Sequence, residues 1–229
     1  MASDTERGGY GRQQPETLPI FPLRNALLLP RGRLPLNIFE PRYLMMADHA
    51  LAAGRLIGMV RPKKDSDPSD LYTIGCAGRI TSFMETDDGR YLITLTGISR
   101  FLIKDELDPD TAFRQARLDW TPYTMDLWQQ EVDADQDSDI RSRLLDVLLS
   151  YLNEAGLKAD WDAIKDASVD SIVNSIAMSC PFEPDEQQAI LEAGSIEDRA
   201  RALVSLMEIS VAESHADMSD PDKKPGRLQ

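Results

Sequence analysis

Histidine and cysteine are both scarce, with two of each in 229 residues. Cys76 and Cys180 stand far apart, and neither has a partner at metal-ligand spacing. That argues against a disulfide framework or a zinc site and favours a reducing, cytoplasmic setting. His49 falls in a helical pattern, where a structural role is the simpler reading, and His215 lies close to the end of the chain. Long apolar runs are missing too. No stretch approaches the roughly 20 residues that span a bilayer, and the polar opening, Met1 to Thr17, lacks the apolar core of a secretory signal. Basic residues are outweighed, 25 against 39 acidic ones, for a formal net charge of −14. Such a field repels phosphate backbones, and the short basic clusters at Arg31/Arg33 and Arg61/Lys63/Lys64 offset it little, so nucleic acid is not an expected partner. The sequence also contains no Gly-x-x-x-x-Gly-Lys-Ser/Thr loop, no Gly-x-Ser-x-Gly elbow and no Cys-Gly-x-Cys signature. An enzyme is not expected, and neither is a cofactor or a metal.

What is present is enough for a core. The length and the 42% hydrophobic content fit one large domain or two packed subdomains. From Leu18 to about Tyr123 the periodicity is mostly that of strands. LPIFPL and LPLNIF are short apolar runs broken by Pro19, Pro22 and Pro35, which suits edge strands or bends. RLIGMV is another compact run. Two long strand patterns then flank a hairpin turn at Asp87-Asp88-Gly89. Tyr91, Ile93 and Leu95 alternate with Leu92, Thr94 and Thr96, as a two-faced strand requires. Gly75, Gly78 and Gly97 inside these patterns imply bulges or close backbone crossings that curve the sheet. FRQARLDWTPY closes the region. One helix interrupts it, opened by Pro41 and stopped at Gly54.

Beyond about Met125 the period becomes 3.6 residues. Ile140, Leu144, Leu145, Leu148, Leu149 and Leu152 form one stripe, and Gly156 is suited to end it. DWDAIKDA reads as a short helix. Val169, Ile172, Val173, Ile176 and Ala177 form the next stripe, with Ser168 as its N-cap. DEQQAILEA precedes Gly194, and a last helix starts at the capping-box-like Ser195 to Asp198 and presents Leu203, Val204, Met207 and Val211. The acidic stretch Asp126 to Asp139 invites a calcium reading. An EF-hand register from Asp135 puts Ile140 where glycine is needed, so a solvated loop leading into a helix is preferred.

At the level of motifs, LPIFPLRNALLLPRGRLPLNIFEPRYLMM (Leu18 to Met46), IGCAGRITSF and DGRYLITLTGISRFLI resemble the Lon protease N-terminal domain family, its stand-alone bacterial members in particular. The likeness runs from about Leu18 to Val211. It implies an α+β fold: a curved, twisted β-rich subdomain, a PUA-like pseudo-barrel with one intervening helix, followed by an α-helical bundle. The expected layout is a disordered segment over 1–17, the β-rich subdomain over 18–123, a helical subdomain over 124–212 and a disordered tail over 213–229. In full-length Lon this domain helps to select and hold substrate polypeptides, so the resemblance implies a non-catalytic module for unfolded or hydrophobic polypeptide segments or for a protein partner. The alternatives are an adaptor docking on a separate protease or chaperone, and a small-molecule-binding protein or unrecognised hydrolase. Candidate surface residues are Glu40, Arg42 and Tyr43, joined by Arg100, together with Leu27 and Leu29. The same residues have a purely structural reading: a carboxylate–guanidinium pair fixing the strand-to-helix corner, and a buried strand over Ala26 to Leu29. Oligomeric state is not legible.

Overall fold

The computed structural model describes residues 14–63, 67, 69–107, 110–127, 137–154, 156 and 160–218. Met1 to Gln13, Lys64, most of the acidic stretch (128–136) and the last eleven residues lie outside it, and with them Asp135, from which the calcium register is counted. The chain divides into two compact units, residues 1–130 with 183–191, and 131–182 with 192–229. The segment 183–191, which the sequence pattern alone groups with the other helices, therefore clusters with the strands.

Six strands build the first unit: β1 (Thr17–Pro22), β2 (Arg33–Ile38), β3 (Leu56–Val60), β4 (Ile74–Glu85), β5 (Tyr91–Glu106) and β6 (Gln115–Asp119). Helix α1 (Pro41–Ala52) separates β2 from β3. β1 pairs in parallel with β3 and antiparallel with β6. β3 pairs with β4, β4 with β5 and β5 with β6, all antiparallel, so five strands close into a ring. The closure is possible because β5 is sixteen residues long. Its C-terminal part, Leu102 to Glu106, pairs with β6, while its N-terminal part, Tyr91 to Thr96, carries β2. Closing a sheet removes its edges, and the bulges that curve it fall at Ala77/Gly78 and Ile80/Ser82 of β4 and at Ile103/Asp105 of β5. β2 is left pairing with β5 alone among the described strands. Pro35 sits inside β2, tolerated there because a residue without an N–H disrupts no ladder on an outer strand.

The ring is filled by Leu18, Ile20, Leu56, Val60, Leu71, Ala77, Phe101, Ala116 and Leu118. Phe101 is fully buried at its centre, edge-on to Trp120. Two glycines are required by close approach. A Cβ on Gly75 would come within 2.6 Å of the Phe101 ring and 2.5 Å of the Met59 carbonyl oxygen. A Cβ on Gly97 would stand 2.8 Å from the Leu29 carbonyl carbon and overlap its oxygen. Leu27, Leu28 and Leu29 are indeed buried, but outside any strand, not as the strand that their composition suggests. The backbone explains this: Arg31 N–H and Gly32 C=O bond to Gly97, so the segment crosses β5 at the glycine.

Past β6, a short 3-10 segment (Thr121–Leu127) is tied to the ring by one buried ion pair. Arg100 is 4% exposed, and its Nε and Nη2 donate to the two Asp126 carboxylate oxygens at 2.8 and 2.9 Å. The Arg100 amide also donates to Asp126, its Nη1 reaches the Leu191 carbonyl oxygen at 3.2 Å, and the guanidinium lies 4.6 Å from the Tyr123 ring centroid. Asp126 thus departs from the expected solvated loop: it is the anion that neutralises a buried guanidinium. Helix α5 (Pro184–Glu192) is held to the strands at three points, by Arg100 on Leu191, by Gln188 Nε2 on the Ile74 carbonyl at 3.1 Å, and by Tyr72 Oη on Asp185.

The second unit consists of α2 (Asp137–Glu154), α3 (Trp161–Asp166), α4 (Val169–Ser179) and α6 (Ile196–Met218). Leu144, Leu148, Tyr151, Ile172, Val173, Ala200, Leu203 and Met207 supply its core. Arg141 of α2 donates to the carbonyls of Lys165 and Ala167, both at 2.6 Å, where a cation satisfies the open acceptors of a helix end. Ser168 caps α4 by accepting from the Ser171 amide, and Ser195 Oγ accepts from the Asp198 amide at 3.1 Å. Burial in this unit pushes the Cys180 thiol pKa up, against a smaller opposing bond from Tyr151. α6 continues to Met218, past the Glu213 at which composition turns polar.

Three substitutions test this reading of the first unit. Asp126→Ala strands the buried Arg100 charge and should cost about 3–5 kcal/mol in urea unfolding, whereas Glu40→Ala, in an exposed pair, should cost at most about 1 kcal/mol. Gly97→Ala should cost about 2–3 kcal/mol by forcing the Leu29 crossing away from β5. Near-neutral values for Asp126→Ala and Gly97→Ala would contradict the roles given to them.

Candidate functional site: an apolar tip and an arginine-lined cavity

The β4–β5 hairpin extends beyond the ring, and its end leaves large apolar side chains in solvent. Phe39, Met45, Phe83, Met84 and Leu92 are between 36% and 62% exposed, and they are five of the eight such side chains among the described residues. Strand register places Met84 and Leu92 on one face of the hairpin end and Phe83 on the other. Met84 pairs directly with Leu92, which on its other side faces Asn37 of β2. Phe83 meets the Tyr91 ring edge-on at 4.9 Å between centroids. Tyr91 pairs with Ile38, the residue before Phe39. Tyr91 Oη also donates to Asp48 Oδ1 at 3.0 Å, which joins the hairpin to the face of α1 that carries Met45 three residues earlier. That bond, then slight burial, raises the Tyr91 pKa. Exposed apolar side chains scattered singly are ordinary, but several at one end of a sheet, here on both faces of the hairpin, mark a candidate interaction surface. The signal was present in the sequence: successive strand residues face opposite ways, so in Phe83-Met84 one of two large apolar side chains has to face solvent.

Of the candidates read from the sequence, Glu40, Arg42 and Tyr43 come together. Glu40 occupies the N-cap position of α1 without capping it through its side chain, and its carboxylate accepts from Arg42 Nε and Nη2 at 3.0 and 2.8 Å. The Arg42 guanidinium lies 4.6 Å from the Tyr43 ring centroid, and Tyr43 packs on Phe21 at 4.3 Å. Arg100 does not join them, since Asp126 holds it in the interior. Leu27 and Leu29 are 2% and 0% exposed and offer no surface.

Beside the Glu40–Arg42 corner opens a cavity of about 480 Å³, lined by Arg24, Arg42 and Arg114 among polar and aromatic groups that include Tyr43, Ser69 and Phe113. Arg114 is fixed by bonds to the Glu106 carboxylate and to the Ser69 carbonyl oxygen at 2.8 Å. Burial raises the Tyr43 pKa, with a further upward push from Glu40, while Arg42 and Arg114 pull it down, so both guanidiniums act on one phenol. The linear sequence separates Arg24, Arg42 and Arg114 by tens of residues, and nothing in their local patterns announces the convergence. Among the described residues, no group of three or more His, Cys, Asp or Glu is placed to hold a metal ion, and no helix is long and apolar enough to cross a membrane.

Comparison with known proteins identifies the architecture. Residues 17–208 match the model of the ATP-dependent protease La (LON) substrate-binding domain. Lon protease 2 of Myxococcus xanthus is 27% identical over 205 residues, which cover 84% of this chain and 24% of that protein. Lon protease of Flavobacterium johnsoniae is 25% identical over 216 residues, covering 92% of this chain and 26% of that protein. The chain thus spans about a quarter of the length of these relatives. Among solved structures, the N-terminal domain of Mycobacterium avium complex Lon protease superposes with a TM-score of 0.62 at 13% identity, over 84% of this chain and 98% of that one. The Lon N-terminal domain protein from Xanthomonas campestris gives 0.59 at 19% identity, over 82% and 97%. At such identities the structural likeness speaks for the fold, and the family is shown by the match over 17–208: the chain belongs to the LON substrate-binding domain family.

Proposed function

We propose that this protein binds polypeptides by burying their apolar side chains against the tip formed by Phe39, Met45, Phe83, Met84 and Leu92, and that it acts by binding alone, without chemistry of its own. The observation that carries the proposal is the clustering of these side chains at one end of the β4–β5 hairpin. Their exposure costs free energy in the unbound protein, roughly 25 cal/mol for each Å² of apolar surface left in water, and a bound segment recovers part of it. Family membership supports the same reading, because the matching model is described as a substrate-binding domain. The flexible thioethers of Met45 and Met84 suit a surface that accepts many sequences. The unpaired edge of β2 adjoins the tip, but Pro35 lacks the N–H that an added strand would need there, so side-chain burial and not strand addition supplies the affinity.

Fluorescence anisotropy of labelled unfolded casein, titrated with the protein at low and high salt, tests this. Saturable binding that survives high salt is expected, since apolar burial is not screened. The double variant Phe83→Ser, Met84→Ser should retain the wild-type unfolding midpoint within a few degrees and weaken binding by roughly ten- to a hundredfold. Unchanged affinity in that variant, or binding abolished by salt, would refute the assignment of the tip.

A further inference from the structure

We infer that the cavity between Arg24, Arg42 and Arg114 is a second binding site, one that receives a carboxylate carried by the bound polypeptide. The inference rests on the polypeptide-binding reading above and gives it a polar anchor in addition to the apolar tip. Each lining guanidinium keeps donors available. Arg24 is exposed, and no side-chain bond or ion pair engages it among the described residues. Arg42 uses Nε and Nη2 on Glu40, and Arg114 uses Nε and Nη2 on Glu106 and Ser69, which leaves Nη1 uncommitted on both. Planar guanidiniums with free N–H groups bind carboxylates in well-defined geometry, and the Glu40 and Glu106 contacts hold two of them in place beforehand.

Charge decides the class of anion. Three guanidiniums against the two carboxylates of Glu40 and Glu106 leave one positive charge uncompensated at the cavity. The −14 net charge of the chain disfavours a doubly charged phosphate, which leaves a carboxylate as the anion that such guanidiniums accept in defined geometry. The aromatic faces of Tyr43 and Phe113 in the same lining give the chain that bears the carboxylate an apolar wall.

An independent observation lies in the same corner. Arg61 is 2% exposed, and its Nε and Nη1 have no hydrogen-bond partner among the described residues. Its Nη2 donates to the Arg24 carbonyl oxygen at 3.3 Å, and the next residue, Pro62, lines the cavity. Burial lowers the Arg61 pKa, opposed by Tyr72 and Asp185. An arginine cannot readily give up its proton, so its field persists behind the cavity wall and adds to the pull on an anion. Arg61 is a positioning residue for the Arg24 turn and contributes at a distance.

The test uses the full chain and a fluorescein-labelled ten-residue peptide of Gly, Ala and Leu in three forms: free C-terminal carboxylate, C-terminal amide, and amide with one internal Glu. At least one carboxylate-bearing form should bind roughly tenfold more tightly than the plain amide, and which one does so tells a chain terminus from a side chain. Arg24→Gln, at an exposed position, should abolish the preference by weakening the carboxylate-bearing forms toward the plain amide; Arg42→Gln should reduce it. Phe83→Ser should weaken all three peptides and leave their ratio intact. Equal binding of the three forms, a preference that survives Arg24→Gln, or displacement of peptide by inorganic phosphate far more effectively than by acetate would overturn the inference. In the first two cases, amide binding that remains sensitive to Phe83→Ser shows that the tip reading stands without the cavity. No binding of any form would remove both.

Discussion

A guanidinium buried in the wall of a small barrel has to be neutralised, and that requirement organises the first unit. Arg100 sits in the middle of β5, the strand that pairs with β2, β4 and β6. Its charge takes both oxygens of Asp126, which pins the 3-10 segment after β6, and its remaining nitrogen takes the Leu191 carbonyl, which pins the end of α5. Replacing such a pair by apolar groups often costs little, but removing one partner leaves an uncompensated charge. The pair therefore acts as a condition on the fold more than as a source of stability. One side chain thus holds both the segment just after β6 and the last turn of α5.

The same strand links stability to recognition. The C-terminal half of β5 closes the ring on β6, and Phe101 fills the interior. Its N-terminal half runs beyond the ring, where it pairs with β4 and β2 and leaves Leu92 in solvent. A strand committed at one end to a packed core holds its other end in place, so under the proposed function the apolar tip is presented at little cost in ordering. The arginine-lined cavity is built in the same unit, from the end of β1 and the turn after it, the start of α1 and the segment that leads into β6, so the proposed apolar and cationic contacts belong to one unit.

Much of this was legible in the residues. Period-two alternation located β5 and its hairpin, Pro41 and Gly54 bounded α1, and the caps at Ser168 and Ser195 fell where helices begin. Family motifs between Leu18 and Ile103, in a likeness running to about Val211, indicated the α+β class. What could not be read were long-range pairings. Asp126 looked like the first member of a solvated acidic run, because nothing local shows that a guanidinium from β5 lies beside it. Leu27 to Leu29 looked like a strand because apolar runs imply burial, and burial was right, but pairing depends on the Gly97 crossing. The site residues divide in the same way: Glu40, Arg42 and Tyr43 are neighbours in sequence and their cluster was anticipated, whereas Arg24 and Arg114 reach that corner through tertiary structure alone.

The most direct test of the central claim is hydrogen–deuterium exchange of the full chain with and without saturating unfolded casein. Backbone protection should rise at residues 39–45 and 83–92, the segments that carry the apolar tip, and stay unchanged over α2, α4 and α6. Protection confined to the helices of the second unit, or no change anywhere at saturation, would contradict the account.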